Sequence, residues 1–281
     1  LSKLPHVPPT GLVRSFRKLR WSLLKRISPT KPVILPFDKN LKLAVRPIDR
    51  TGKAVYLNGY SDRELALILH QYLKPGMTYL DVGSHLGQFA ILASSLVGNT
   101  GGVHAFEACR EAYQLLDQNA TLNAMDWLTI NHKAVFKEPG TVKINVCVSG
   151  QGEFNSISDP LRPDDQVTGF EEVEAVAIDG YCEKAGIQNI DLMKIDVNGP
   201  ELQVIQGGKH MLGKPGKRMI IVEFNDFTTA PLGYTTLELK KEIESLGYRI
   251  CRFNHDTDQL DPEPTRERYD ETVDLVCVKD A

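Results

Sequence analysis

The chain has 281 residues, 42% of them hydrophobic, and a net charge of −3. That is enough to bury one sizeable core without division into several domains. The charge is uneven: residues 1–36 carry eight Lys and Arg and no Asp or Glu, which leaves −11 on the rest. An acidic body excludes general nucleic-acid binding, which needs a broad basic face to neutralise phosphates. Five cysteines (Cys109, Cys147, Cys182, Cys251, Cys277) form no CxxC pair and each sits in or beside an apolar run. They read as buried free thiols, which points to a reducing compartment. The longest mostly apolar stretch, 89–97, is far short of the roughly 20 residues that span a membrane. With no apolar leader region in view, a cytoplasmic location is expected. The chain opens on Leu, which leaves room for residues upstream.

Prolines punctuate 1–11 and 28–40; between them Phe16, Leu19, Leu23 and Ile27 recur at helical spacing, with Lys and Arg on the other face. The expected division is a basic N-terminal extension over 1–40 and one catalytic domain over 41–281. Segments 41–47 and 53–57 read as a short hairpin. Ser61 with Glu64 three residues later reads as a capping box that starts a helix over 61–73. From there strands and helices alternate: strand 78–83, helix 86–97, strand 102–107, helix 110–123 and strand 128–135. After a strand-rich insertion over about 140–178 come strand 191–197, helix 200–212, strand 218–225, helix 235–246 and strands 248–254 and 272–278. Such alternation means a mostly parallel sheet covered on both faces. The last two strands have only a loop between them, so the final one is expected to run antiparallel.

The first strand of the alternation ends in YLDVGSHLGQF (79–89). In sheets of this kind ligands bind at the carboxyl ends of the strands. Gly83 and Gly87 allow a tight turn and close approach of backbone to ligand, and Ser84 and His85 lie between them. The following helix points its first amides at the same place. The next strand ends on Glu107, followed by Ala108, where a carboxylate can accept from two ribose hydroxyls. The pattern is D-x-G-x-x-x-G rather than the GxGxxG of a pyrophosphate binder. Asp81 at its entrance would repel a pyrophosphate and attract the ammonium and sulfonium of S-adenosylmethionine. A charge pair about 4 Å apart at an effective dielectric near 20 is worth roughly 4 kcal/mol, so the acid favours the methyl donor. The absence of GxGxxG counts equally against a nicotinamide-dependent oxidoreductase.

YLDVGSHLGQFAIL (79–92), HAFEA (104–108), NHKAV (131–135), AIDGY (177–181) and LMKIDVNGPELQVIQGG (192–208) closely resemble the FkbM-type methyltransferases. The resemblance runs from about 40 to 280 and implies a class I methyltransferase fold, Rossmann-like, with a seven-stranded, mostly parallel sheet and an antiparallel last strand. It implies S-adenosylmethionine as donor and, usually, an oxygen acceptor on a small metabolite, sugar or peptide, in natural-product or secondary metabolism. By position it assigns Asp81, Gly83, Gly87 and Glu107 to the cofactor and puts Asp196 beside the transferred methyl. Two positions depart from the family pattern: Asn198 stands where Glu is usual, and His85 where Asn is usual.

A hydroxyl acceptor needs a general base within about 3 Å, whereas a carboxylate acceptor needs none. Asp196, Glu223 and His85 are the candidate bases, and the missing Glu at 198 suits carboxyl methylation of a peptide C-terminus as the alternative. A catalytically silent S-adenosylmethionine-binding protein is the alternative of another class. Asn155 and Ser156 in the polar EFNSIS segment, with Asn198, are expected to meet the acceptor. Asp196 with Asn225 and Asp226 would offer oxygen ligands for Mg²⁺, but the spacing is generic and no metal is expected. The basic N-terminal helix could lie weakly on an anionic membrane surface, close over the site or pack on a partner. A homodimer is one of the assemblies the sequence leaves open.

Overall fold

The computed structural model describes Leu4 and residues 10–147, 157, 167–254, 256–264 and 266–280. The chain enters through helix α1 (Gly11–Ile27) and a hairpin of β1 (Val33–Phe37) and β2 (Leu41–Val45), in which Val33 pairs with Val45 and Phe37 with Leu41. This corrects the expected hairpin. Its partner strand is the Pro-containing 33–37, because both strands of a two-stranded ribbon are edges and tolerate Pro36. Segment 53–57 lies instead in helix α2 (Arg50–Asn58), where packing of Val55 and Leu57 overrides their strand preference. Helix α3 (Arg63–Tyr72) begins one residue later than its capping signal suggested. Asp62, not Ser61, is the cap, its Oδ1 accepting from the Glu64 and Leu65 amides at 2.8 and 3.0 Å.

The alternating region follows the sequence closely: β3 (Thr78–Val82), α4 (Gln88–Val97), β4 (Gly102–Phe106), α5 (Arg110–Asn123) and β5 (Leu128–Asn131). The insertion folds as β6 (Ala134–Val135), β7 (Gly140–Cys147) and β8 (Val167–Val176), a separate three-stranded sheet. Then come α6 (Ile178–Ala185), β9 (Leu192–Ile195), α7 (Glu201–Gly207), α8 (Lys209–Gly213) and β10 (Arg218–Phe224). The expected single helix over 200–212 is broken at Gly208. Gly207 packs so closely that a Cβ there would lie 2.3 Å from the Phe136 carbonyl oxygen. The chain closes with α9 (Asp226–Thr229), α10 (Thr236–Ser245), β11 (Arg249–Asn254), β12 (Gln259–Pro262) and β13 (Val273–Lys279).

The main sheet runs β12-β11-β13-β10-β9-β3-β4-β5, parallel from β10 to β5, with β13 antiparallel to both neighbours. It has eight strands where seven were expected, because the loop after β11 folds back as the edge strand β12. Alternation along the strands sends Tyr79, Leu192, Met219 and Val276 to one face, against α3, α4 and the hairpin. Leu80, Met193, Ile220 and Cys277 go to the other, against α6, α7, α8 and α10. All five cysteines are buried and free.

The N-terminal elements are tied to the sheet by two buried polar devices. Asn119 of α5 accepts from the Ala44 amide at 2.6 Å and donates to the carbonyls of Ala44 and Leu86 at 3.1 and 2.8 Å. Arg46 forks onto Asp49 at 2.9 and 3.0 Å and also reaches Glu111. Since Leu86 belongs to the turn after β3, Asn119 joins the hairpin and the turn through one side chain. Asn119→Ala leaves three buried backbone groups without a partner and should lower stability by about 3 kcal/mol, as unfolding in urea with an unchanged m-value.

Candidate active site

The turn between β3 and α4 is shaped by backbone contacts that only glycine permits at two positions. Gly83 has φ +84°, and a Cβ there would lie 1.8 Å from the Asp196 carbonyl oxygen. Gly87, φ +83°, caps α4, and a Cβ would meet Leu116 Cδ1 at 2.4 Å. Amides of Gly83 and Ser84 both donate to the Phe106 carbonyl, at 3.0 and 2.9 Å, and the Ser84 hydroxyl donates to the Asp81 carbonyl at 2.8 Å. The turn is thereby fastened to the end of β4.

An open cleft lies above this turn. Gly83, Ser84, His85, Glu107, Ala108, Asp196 and Asn198 line it, as expected of them by position, together with Thr51, Gln88, Lys194 and an apolar wall that includes Val135, Ile144 and Ile157. Glu107 accepts the His85 amide on Oε2 at 2.7 Å and the Cys109 amide on Oε1 at 2.8 Å. Each oxygen keeps a lone pair for a further donor. Burial pushes the Glu107 carboxyl up to about 7. Burial also lowers the pKa of His85, whose ring is therefore neutral near pH 7.

Two expected cofactor residues stand elsewhere. Gly87 lies behind the cleft wall, and Asp81 is only 1% exposed beneath the turn. The Asp81 carboxylate faces the Lys194 ammonium at 3.8 Å and accepts no hydrogen bond among the described residues. This corrects the expectation that Asp81 meets the cofactor's cation directly: its charge is answered inside the chain. Burial raises its pKa, which Lys194 opposes. Lys194 also donates to the Gly83 carbonyl at 3.0 Å and lies 3.1 Å from Asp196 Oδ2. Burial disfavours its charge, but Asp196 and Asp81 outweigh that and raise its pKa. Sequence reasoning passed over Lys194. A lysine in the otherwise apolar LMKI strand was the available signal, since buried lysines need a partner.

Asp196 does not cap the following helix. The helix has no side-chain cap; Glu201 instead fastens the loop before it, its Oε1 accepting the Gly199 amide at 2.9 Å and the Val197 amide at 3.3 Å. Asn198 has φ +55°, a left-handed conformation that Asn tolerates better than most residues, which accounts for an amide side chain here. Glu223 does not line the cleft but sits behind Asp196 on the same sheet face, with Asp274 as its cross-strand partner on β13. Burial, and then the neighbouring carboxylates Asp196 and Glu201, raise the Glu223 pKa well above its ordinary value. Asn155 and Ser156 lie outside the described residues.

Asn225 and Asp226, weighed with Asp196 as oxygen ligands, have partners within the chain. Asn225 accepts the Phe227 amide and donates to the Thr272 hydroxyl, at 2.9 and 2.8 Å. Asp226 accepts the Thr236 amide and hydroxyl and the Tyr269 amide at 3.0, 2.6 and 2.6 Å. Both are engaged in closing the loop after β10. Among the described residues no group of His, Cys, Asp and Glu is placed to hold a metal ion.

Strand order with an antiparallel β13, a glycine turn after β3 and an acid at the end of β4 together define a class I methyltransferase architecture. The cleft fits S-adenosylmethionine: a paired carboxylate for the ribose, an apolar slot for the adenine, and a turn whose backbone a ligand can approach. The Methyltransferase FkbM domain matches residues 81–250, more than half of the chain, and the protein belongs to that family. The domain that it matches is a methyltransferase domain. The chain is 44% identical to the 2-O-methyltransferase NoeI of Sinorhizobium fredii over 54 residues, which span only 19% of this chain and 21% of that one. Among solved structures it is similar to the methyltransferase FkbM from Methylobacillus flagellatus, at 12% identity and TM-score 0.44 over 81% of this chain and 54% of that chain. A SAM-dependent O-methyltransferase from Thermotoga maritima is similar at 14% identity and TM-score 0.43, over 92% and 96%.

Gly83→Ala must displace the turn from the Asp196 backbone, so it should lower the thermal midpoint and cost about 100-fold or more in calorimetric affinity for S-adenosylmethionine. The Glu107 carboxyl binds a ribose hydroxyl best when ionised, and it ionises only as pH rises through about 7. Affinity for S-adenosylmethionine, divided by that of Glu107→Gln to remove the ligand's own titration, should therefore rise about tenfold between pH 6 and 8.

Proposed function

We propose that the protein transfers the methyl group of S-adenosylmethionine to a hydroxyl oxygen of a small-molecule, sugar or peptide acceptor in natural-product or secondary metabolism. The observation that carries the oxygen reading is the set of acids around the end of β9. Asp196 stands in the cleft, and Glu223 and Asp274 follow it across β10 and β13 on one face. Lys194 is the cation facing them. The Asp196 carboxylate in the cleft disfavours a carboxylate acceptor by like-charge repulsion and favours a group that donates a hydrogen bond, and burial of Glu223 and Asp274 beside it disfavours any further negative charge there. The short match to a 2-O-methyltransferase supports the same reading.

When bound, S-adenosylmethionine supplies an electrophilic methyl on a sulfonium, ready for in-line displacement. The chain's own part is alignment and proton handling. Glu107 holds the ribose, and the 83–87 turn accommodates the amino-acid end of the donor. Asp196 accepts a hydrogen bond from the acceptor hydroxyl, turning its oxygen towards the methyl, and takes the proton as the C–O bond forms. Lys194, 3.1 Å from Asp196 Oδ2, fixes the position of that carboxylate. Glu223, which does not line the cleft, is a support rather than the base.

Titration calorimetry with S-adenosylmethionine and S-adenosylhomocysteine, followed by mass spectrometry for one added methylene across hydroxyl and carboxylate acceptors, tests the assignment. Heat with both ligands and modification of hydroxyl acceptors are expected; modification of carboxylates alone would replace the reading with carboxyl methylation. Binding without any methylated acceptor would favour the silent-binder alternative. Asp196→Asn should lower kcat by about 10²–10³-fold and leave cofactor affinity within about twofold.

A further inference from the structure

Helix α1 turns its apolar stripe away from the protein. Its inward face is made by Arg14, Arg17, Trp21 and Leu24, at helical spacing. Trp21 is 2% exposed and stacks on Tyr56 of α2 with ring centroids 4.9 Å apart. Arg14 donates to Asn58 Oδ1 and Arg17 to the Tyr56 carbonyl, each at 3.2 Å. Leu24 packs on the core beneath.

At 100° per residue, the opposite face carries Leu12, Phe16, Leu19, Leu23 and Ile27 in one narrow line. Each is between 56% and 89% exposed. Val13 lies on α1 itself, off this line, and the other large exposed apolar residues among the described ones, Ile34, Val167, Phe170 and Phe227, do not form a comparable stripe. A continuous exposed apolar surface marks an interaction site, whereas scattered exposed residues do not.

The charges around the stripe identify what covers it. The same geometry puts Arg20 along one border and Arg26 along the other, with Lys18 and Lys25 further round beyond Arg26. No Asp or Glu occurs in residues 1–36. A second copy of the helix would set these cations against one another with no carboxylate between them. An apolar face elsewhere on a second copy would have to match a stripe of five large side chains, and the described surface offers none. A bilayer of anionic lipids offers both counterparts at once, phosphates for the borders and an acyl layer for the stripe. No helix of the described residues is long and apolar enough to cross a membrane, so the contact is one of lying on the surface.

We propose that α1 is a membrane-surface anchor, with Leu12, Phe16, Leu19, Leu23 and Ile27 entering the acyl boundary of an anionic leaflet and Arg20 and Arg26 on its phosphates. The inward face keeps the helix attached to α2, so the body follows the helix to the surface.

Co-sedimentation of the full chain with phosphatidylcholine vesicles, with and without phosphatidylglycerol, tests this independently of methyl transfer. Binding to the anionic vesicles should be about tenfold or more tighter than to the neutral ones and should weaken with salt. The double variant Phe16→Ser, Leu19→Ser should lose about tenfold or more of that affinity while retaining its circular dichroism and its heat with S-adenosylmethionine. Arg20→Gln with Arg26→Gln should remove most of the preference for phosphatidylglycerol. Equal binding of wild type and the apolar variant would overturn the proposal. So would absence of vesicle binding, including the case in which sedimentation velocity shows the stripe holding a dimer that the variant dissociates.

Discussion

The Lys194 ammonium sits under the cleft and touches three parts of the chain that are distant in sequence. It faces the Asp81 carboxylate of β3, lies beside Asp196 at the end of β9, and donates to the carbonyl of Gly83 in the turn between. Removing the Asp81 carboxylate and the Lys194 ammonium from water is costly, and their mutual attraction, the bond to Gly83 and the cleft-facing Asp196 carboxylate beside Lys194 offset it. The group therefore resists rearrangement: moving Lys194 leaves Asp81 buried without a counter-charge. Because Gly83 is locked against the backbone of Asp196, the cofactor turn and the candidate base are held as one rigid unit. Precision of this kind matters for a displacement reaction, where small misplacements of the reacting groups cost large factors in rate.

The remaining elements hold that unit from outside. Asn119 fastens the turn to the hairpin, and the Arg46 fork fastens the hairpin's end to α2 and α5. Ser61, just before α3, donates its amide to Gln88 of α4 at 3.2 Å, and both residues line the cleft. The N-terminal segment is thus part of the site's wall as well as the platform for α1. Its hairpin straddles residue 40, so the basic extension and the catalytic body are one packed structure there. Raised pKa values at Glu107, Asp274 and Glu223 follow from the same enclosure, which penalises the charged form of every carboxyl it covers.

Much of the fold was legible because the hydrophobic period changes cleanly between strand and helix from Thr78 onwards. Reading failed where local pattern and packing disagree. Segment 53–57 looks like a strand because Ala54, Val55, Tyr56 and Leu57 form a short apolar run, yet its neighbours place it on a helix. Segment 33–37 contains Pro36 and looks like loop, yet an edge ribbon accepts it. Edge strand β12 was invisible because its residues, Gln259–Pro262, are polar, and only pairing with β11 orders them. Of the site, Glu107, Ser84, His85 and Asp196 were readable from their places at strand ends, since strand ends in such a sheet meet at the ligand.

The sequence by itself determined the alternating α/β order, the glycine turn, the acid at the end of β4 and the family, all of which depend on residues close together in the chain. Tertiary structure alone decided what each charge does. It buried Asp81 against Lys194, placed Glu223 behind Asp196, spent Asn225 and Asp226 on loop closure and left the apolar side of α1 facing outwards. The reason is physical: a side chain's charge state and partners are set by groups that reach it from distant parts of the chain, and by how much water the fold leaves between them.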